Sequence, residues 1–270
     1  MRAVLAATAT AAALVLAAPT AAPAARDAQR WRPDVRAAKA FAGERTGVVR
    51  ISVRARGRAW GWRETLAAPS ASVLKAMLLV AYLNHPSVRE RALGRDDHAL
   101  LGPMIRWSDN ATASQVLAFV GSSGVEGVAR RAGMRRFVLD PVIWGNSSID
   151  ADDQTRFVRW IDRQVPERHR AAAMHLLATV VPEQRWGVGR VPLPGWRRFF
   201  KGGWGSGSGA VEHQVALLRR GSRRVAAAVL ITGSPSHAYA IETLRGVFAR
   251  LLRGLAPPRS AAGEQGVGSL

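Results

Sequence analysis

From residue 48 the chain alternates: Val49, Ile51, Val53 and Ala55 fall between Arg50, Ser52, Arg54 and Arg56. That period of two predicts a strand with one wet face. Arg56-Gly57 turns it, and Arg58 to Arg63 runs back as a second strand. A short helix from Asp34 to Phe41 precedes the pair. A second helix is expected from Ala71 to Leu83, opened by Pro69-Ser70 and closed by Asn84-His85-Pro86. Residues 102–181 read as mostly helical, with breaks at 121–124 and 141–148. The Gly-, Pro- and Arg-rich stretch 182–194 reads as a loop. Strands return at 199–204, 211–218 and 225–232, with a turn at 219–222. The last helix, His237 to Leu252, carries Ile241, Leu244, Val247, Phe248, Leu251 and Leu252 on one stripe, so it should cover the sheet. Strands at both ends with helices between them predict an α+β fold: one sheet built from both ends of the chain, with an all-helical lobe inserted.

At 270 residues the chain suits one large core. The expected organisation is a single domain over 26–255, with sheet segments 47–64 and 198–254 and a helical lobe over about 70–182. Residues 256–270, rich in Pro, Ala, Gly and Ser, are expected to be a disordered tail. Met1-Arg2, an Ala/Val/Leu run through Leu16 and small residues around Ala22-Pro23-Ala24 read as an export signal over 1–25. The apolar run is short and Ala-rich for a membrane anchor. The mature protein is therefore expected outside the cytoplasm, in the cell envelope or secreted.

Composition narrows the chemistry. The chain has no cysteine, which excludes disulfides, a thiolate nucleophile and thiolate metal sites. The formal charge is +20, but the arginines are dispersed in ones and twos and no nucleic-acid-binding motif accompanies them. Loose, unselective attraction to an anionic envelope fits better than specific nucleic-acid binding. The pairs Arg135-Arg136 and Arg223-Arg224 read as solvated face charges. The six histidines lack metal spacing, and no metal or cofactor is expected. Nothing in the sequence calls for a partner chain, and a monomer is expected.

Almost every cation is arginine; the three lysines are Lys39, Lys75 and Lys201. Unlike guanidinium, an amine can be tuned by burial and neighbouring charge into a base, from its ordinary pKa of ~10.4. Ser72 and Lys75, three apart at a helix start, lie on one face. The helix N-terminus favours an incipient alkoxide and disfavours a nearby ammonium. A shift of Lys75 to near 7, with burial and Lys201 as the causes, requires on the order of 4 kcal/mol.

Ser108-Asp109-Asn110 follows, and then Lys201-Gly202-Gly203 ahead of a strand. The ordered set resembles the Ser-x-x-Lys, Ser-Asp-Asn and Lys-Thr-Gly signature of class A serine β-lactamases and penicillin-binding proteins. The resemblance covers most of the mature chain. It implies an α/β/α sandwich: a five-stranded antiparallel sheet with flanking N- and C-terminal helices beside the helical lobe. It also implies roles: Ser72 as the acylated nucleophile, Lys75 as its base, and Ser108 as a proton relay to the leaving nitrogen. Asn110 would bind the substrate's side-chain amide and Lys201 its carboxylate. The backbone N–H groups of Ser72 and Trp204, which follows Gly203, would form an oxyanion hole. Asp109 would brace the turn, and Trp107 and Trp204 are expected at the site.

The sequence departs from the family pattern in three places. Gly202 stands where the family has a hydroxyl residue, with Ser206 and Ser208 as replacement hydroxyls. The segment between Ser72 and Ser108 is short. The loop glutamate that positions the deacylating water has no counterpart between Leu139 and Asp153, where Asp140 is the best-placed substitute base. Asp150, Asp152 and Asp153 are expected to begin a helix instead. The resemblance thus implies a secreted serine hydrolase that opens a β-lactam ring and deacylates slowly. A D-alanyl-D-alanine peptidase or transpeptidase acting on stem peptides, or a non-catalytic envelope-binding protein of the same fold, stand as alternatives.

Overall fold

A computed structural model describes residues 31–205 and 210–256. The export signal expected over 1–25, the tail beyond Ala256 and the hydroxyls of Ser206 and Ser208 lie outside the described residues.

Helix α1 (Val35–Gly43), capped by the Asp34 carboxylate, leads into strands β1 (Val48–Ala55) and β2 (Arg58–Trp62). A two-residue strand, β3 (Ala68–Pro69), pairs with β4 (Ser148–Ile149). The expected helix at Ala71 starts as a 3-10 turn, Ala71–Leu74, and becomes α-helical only from Lys75, as α2 (Lys75–Leu83). Then come α3 (Pro86–Arg89), α4 (Arg95–Gly102), a π turn (Pro103–Trp107) and the long α5 (Asn110–Ala132). Helix α5 runs through the expected break but is kinked at Gly121, whose φ of 64° leaves the helical region. Helices α6 (Ala151–Arg159) and α7 (Glu167–Ala178) complete the lobe. The chain returns through β5 (Arg197–Gly205), β6 (Val211–Arg220) and β7 (Arg223–Thr232) to α8 (His237–Leu251).

The antiparallel sheet has the order β2-β1-β7-β6-β5, so segments from both ends of the chain meet at β1 and β7. Each face is covered. Val225, Ala227, Val229 and Ile231 join the core under α8, with Leu244, Val247, Phe248 and Leu251 of its stripe. Ala226, Ala228 and Leu230 join the core of the helical lobe on the other side. Every residue of α2 is buried, so this helix runs through the lobe's centre.

Two expectations are corrected. The polar side of β1 is not wet: Arg50 and Ser52 are buried. Helix α6 lies over it and matches its polarity, with Ser52 Oγ hydrogen-bonded to Thr155 Oγ1 at 2.9 Å and Arg54 paired with Asp152. One member of each arginine pair, Arg136 and Arg224, is not a simple solvated charge either. Asp153 Oδ2 accepts from the backbone N–H groups of Arg135 and Arg136, and Asp150 takes the Arg136 guanidinium at 2.5 Å. Arg224 grips the buried Asp162 through two bonds of 2.7 and 2.6 Å. Buried acidic residues select Arg136 and Arg224 from the dispersed population, a distinction that spacing alone does not carry.

Candidate active site

Ser72 sits in a backbone held from three sides. Ser70 N–H donates to the Ser147 carbonyl at 2.8 Å, and Ser70 Oγ donates to Trp144 O at 3.1 Å. From β6, the ring of His213 reaches Pro69 O at 2.8 Å through Nε2, while its Nδ1 accepts from Ile231 N–H at 3.1 Å. The Nε2–H tautomer satisfies both contacts. Burial pushes His213 down to about 4, so it remains neutral at physiological pH. Ala71, immediately before Ser72, takes a left-handed φ of 42°. Such strain at a non-glycine residue marks a backbone fixed by its surroundings. The 3-10 turn then eclipses residues three apart, which sets Ser72 and Lys75 on one face.

The edge strand β5 comes up against this turn. A Cβ on Gly203 would stand 2.8 Å from both Ser72 N and Val73 N, so glycine is required for the strand to approach the Ser72 amide. Gly202 has a different cause. A Cβ there would lie 2.6 Å from the buried indole of Trp186, which occupies the space a hydroxyl side chain would take.

Ser108-Asp109-Asn110 joins the π turn to α5. Ser108 is left-handed (φ 61°, ψ 33°), and Asp109 caps α5 by accepting from Thr112 N at 2.7 Å and Thr112 Oγ1 at 2.8 Å. Those bonds hold the Asp109 carboxyl below its usual range and brace the turn, the geometry expected of it. Lys75 Nζ donates to Ser108 O (2.5 Å) and Asn110 Oδ1 (2.7 Å) and lies 3.3 Å from Ser108 Oγ. Lys201 Nζ approaches the same Ser108 Oγ at 2.9 Å and donates to Gly202 O at 2.8 Å. Ser108 Oγ therefore stands between two amines. Ser72 Oγ makes no hydrogen bond among the described residues; the contact with Lys75 implied by their spacing is replaced by the lysine's three contacts to Ser108 and Asn110.

Both amines are buried. Desolvation brings Lys75 down to about 7, opposed by the Asp109 carboxylate. Lys201 lies well below its ordinary value, first through burial and then through the charge of Lys75. When Lys75 is neutral it has two N–H donors and a lone pair. Ser108 O and Asn110 Oδ1 can only accept, so Ser108 Oγ–H is the partner able to face that lone pair. The result is a hydrogen-bonded chain in which Lys201 donates to Ser108 Oγ and Ser108 Oγ–H faces Lys75.

The loop opposite contributes no carboxylate to this cluster. Asp140 Oδ1 accepts from Val142 N (3.0 Å) and Ile143 N (2.8 Å), an arrangement that braces the loop. The side chain that the loop brings to the site is Trp144, whose ring lies 5.0 Å from Lys75 Nζ. Trp204 lies on the other side, with its ring 5.9 Å from Lys201 Nζ and edge-on to Trp186. Trp107 is half exposed beside Ser108, its ring stacked under Arg106. Sequence reasoning missed Trp144, Trp186 and His213. Only the last two left a trace: Gly202 marks a crowded strand face, and His213 lies opposite Gly203 in the β5–β6 register.

Solved structures with this fold include a β-lactamase from Sphaerobacter thermophilus (22% identity, TM-score 0.70, covering 84% of this chain and 98% of that one). A β-lactamase from Xanthomonas campestris pv. campestris is similar at 14% identity, TM-score 0.71, 82% of this chain and 97% of the other. The class A β-lactamase of the last common ancestor of Gram-negative bacteria matches at 19%, 0.69, 81% and 97%. Comparison with curated protein sequences gave no match. The sequence profile of the β-lactamase enzyme family matches residues 98–253, which include Ser108–Asn110 and Lys201–Gly203, while Ser72 and Lys75 precede the matched segment. With more than half of its length matched, the chain belongs to the β-lactamase enzyme family.

Proposed function

We propose that the protein is an exported serine hydrolase that opens β-lactam rings through an acyl-enzyme at Ser72 and releases the product slowly. The observation that carries this reading is the convergence of two buried amines on Ser108 Oγ, one from the lysine three residues after Ser72 and the other from the strand whose Gly203 meets the Ser72 amide. Neutral Lys75 takes the proton of Ser72 Oγ–H as the oxygen attacks the ring carbonyl carbon. The ring C–N bond breaks, and the proton passes from Lys75 through Ser108 Oγ to the departing nitrogen. The N–H groups of Ser72 and Trp204 receive the oxyanion, and Lys201 attracts the substrate carboxylate. Asn110 offers its amide N–H to the substrate because its Oδ1 is held by Lys75.

The second half-reaction needs a base beside a water on the ester. Trp144 faces Lys75 from the loop, and Asp140 is engaged with its own backbone, which supports slow deacylation. The same acylation chemistry suits a D-alanyl stem peptide, and the slow ester favours that donor as a second reading. Export rests on the sequence of residues 1–25 alone; N-terminal sequencing of protein recovered from the envelope tests it. Intact-protein mass spectrometry after incubation with a penicillin tests the main reading. A stoichiometric adduct is expected on the parent and none on Ser72→Ala. Equal labelling of the variant would remove Ser72 as the nucleophile.

A further inference from the structure

At the end of the sheet opposite Gly203 lies a cavity of about 400 Å³ between the β1–β2 turn, the β6–β7 turn and the end of α6. Along β6 it is roughly 20 Å from the residues that hold the nucleophile turn. Arg56, Arg159 and Arg224 line it, with the indoles of Trp31, Trp160 and Trp196 as walls. The aromatic faces preorder the cations: Arg159 and Arg224 lie 5.1 and 4.8 Å from the Trp160 ring, and Arg223 lies 5.1 Å from that of Trp196.

Two donors at this cavity lack an acceptor among the described residues, one on Arg159 and one on Trp196. Asp162 is shared between Arg219 and Arg224. Arg159 makes no ion pair among the described residues, and its Nε is buried without an acceptor. Burial, with the charges of Arg54 and Arg224, lowers its pKa, so its charge is uncompensated where it sits. Trp196 is 5% exposed, and its indole Nε1–H also lacks an acceptor. Buried donors of this kind cost stability unless something accepts from them. Arg56 adds a further sign. It holds a φ of 52° in the β1–β2 turn, a position where glycine or asparagine is unstrained and a long side chain is not.

We propose that this cavity binds a phosphate ester with an apolar or aromatic body. Of the guanidinium groups that line this one space, Asp162 holds that of Arg224, while those of Arg56 and Arg159 make no ion pair among the described residues; together they match the three or four oxygens and double charge of a phosphoryl group better than the two oxygens of a carboxylate. The tryptophan walls and the size of the cavity leave room for an organic substituent. The site is separate from Ser72 and does not depend on the reading of its chemistry.

Titration of the protein with phenyl phosphate at physiological salt, followed by tryptophan fluorescence and calorimetry, tests the proposal. Saturable binding is expected, with phenol silent and benzoate at least about tenfold weaker. Arg159→Gln should weaken binding by about tenfold or more, whereas Arg130→Gln, which removes an exposed charge elsewhere, should not. Arg56→Gly separates the site from the fold: it should relieve the turn and raise Tm while weakening phenyl phosphate. All three variants should acylate at Ser72 like the parent. Vesicles containing phosphatidic acid, whose headgroup is a phosphate monoester, distinguish a lipid headgroup from a soluble ester. Binding to vesicles that Arg159→Gln abolishes assigns the headgroup; binding to phenyl phosphate alone assigns a soluble ligand. Absence of saturable binding to both, or equal losses in Arg130→Gln and Arg159→Gln, would overturn the site and leave only the diffuse attraction of a +20 chain.

Discussion

Two sides of one cleft are built to different standards. On the side of Ser72, Ser108 and Lys201, the groups around the Ser72 hydroxyl are oriented: two amines meet one hydroxyl, Lys75 holds Asn110, Thr112 holds Asp109, and glycine lets β5 approach the Ser72 amide. On the side of the loop at 140–149, the carboxylate is engaged with its own backbone and an indole faces the site. The difference teaches that the two half-reactions of a serine hydrolase are separable in structure. In the proposed reaction burial is enough to make Lys75 the base for acylation, because it lowers an amine's pKa. Deacylation needs a base aimed at a water on the exposed face of the ester, and burial does not place one there.

The harshest test of the first side is Lys75→Arg. It keeps the charge but cannot accept a proton, so acylation should fall by about a hundredfold to ten-thousandfold, nearly as far as in Lys75→Ala. Stopped-flow acylation by a chromogenic cephalosporin measures it. Acylation of the arginine variant near the parent rate would make Lys75 an electrostatic group and place the base elsewhere.

The acylation rate should next follow the titration of Lys75. It should fall about tenfold per pH unit below pH 7 and level off above it. Stability carries the same sign. The unfolded chain keeps this proton up to pH ~10.4 and the folded one releases it near 7, so the contribution of Lys75 to stability rises between those values. Denaturant unfolding of Lys75→Met should lose that rise. A pH profile for acylation that is flat from 5 to 8 would contradict the assignment.

A smaller effect is expected at Gly202. Gly202→Thr should destabilise the fold by about 1–3 kcal/mol, because its Cβ meets the Trp186 ring. Trp186→Leu in the same chain should recover much of that loss. Additive losses, measured as a double-mutant cycle, would show that the indole is not what excludes the side chain.

The parts legible in the sequence were those that depend on local pattern. The alternation at Val49–Ala55, the stripe of α8 and the three motif segments each lie within a few residues, and the fold that joins them is the one the motifs implied. What escaped was long-range. Nothing near Ser52 and Arg54 signals that α6, a hundred residues later, meets them. Trp186 lies in a stretch readable only as a loop, yet it explains a motif residue in β5. Asp140 was chosen by position, and position does not reveal that its oxygen already serves two amides. Arg56 and Arg159, distant in sequence, meet only through the sheet.

The measurement that bears most directly on the divided cleft is the pre-steady-state time course of a chromogenic cephalosporin. A burst equal to one product per enzyme, followed by turnover far slower than the burst, is expected, with the Ser72 ester detectable by mass throughout the slow phase. Rapid linear hydrolysis without a burst would contradict it. Loss of that turnover in Asp140→Asn would then make the loop carboxylate the deacylating base.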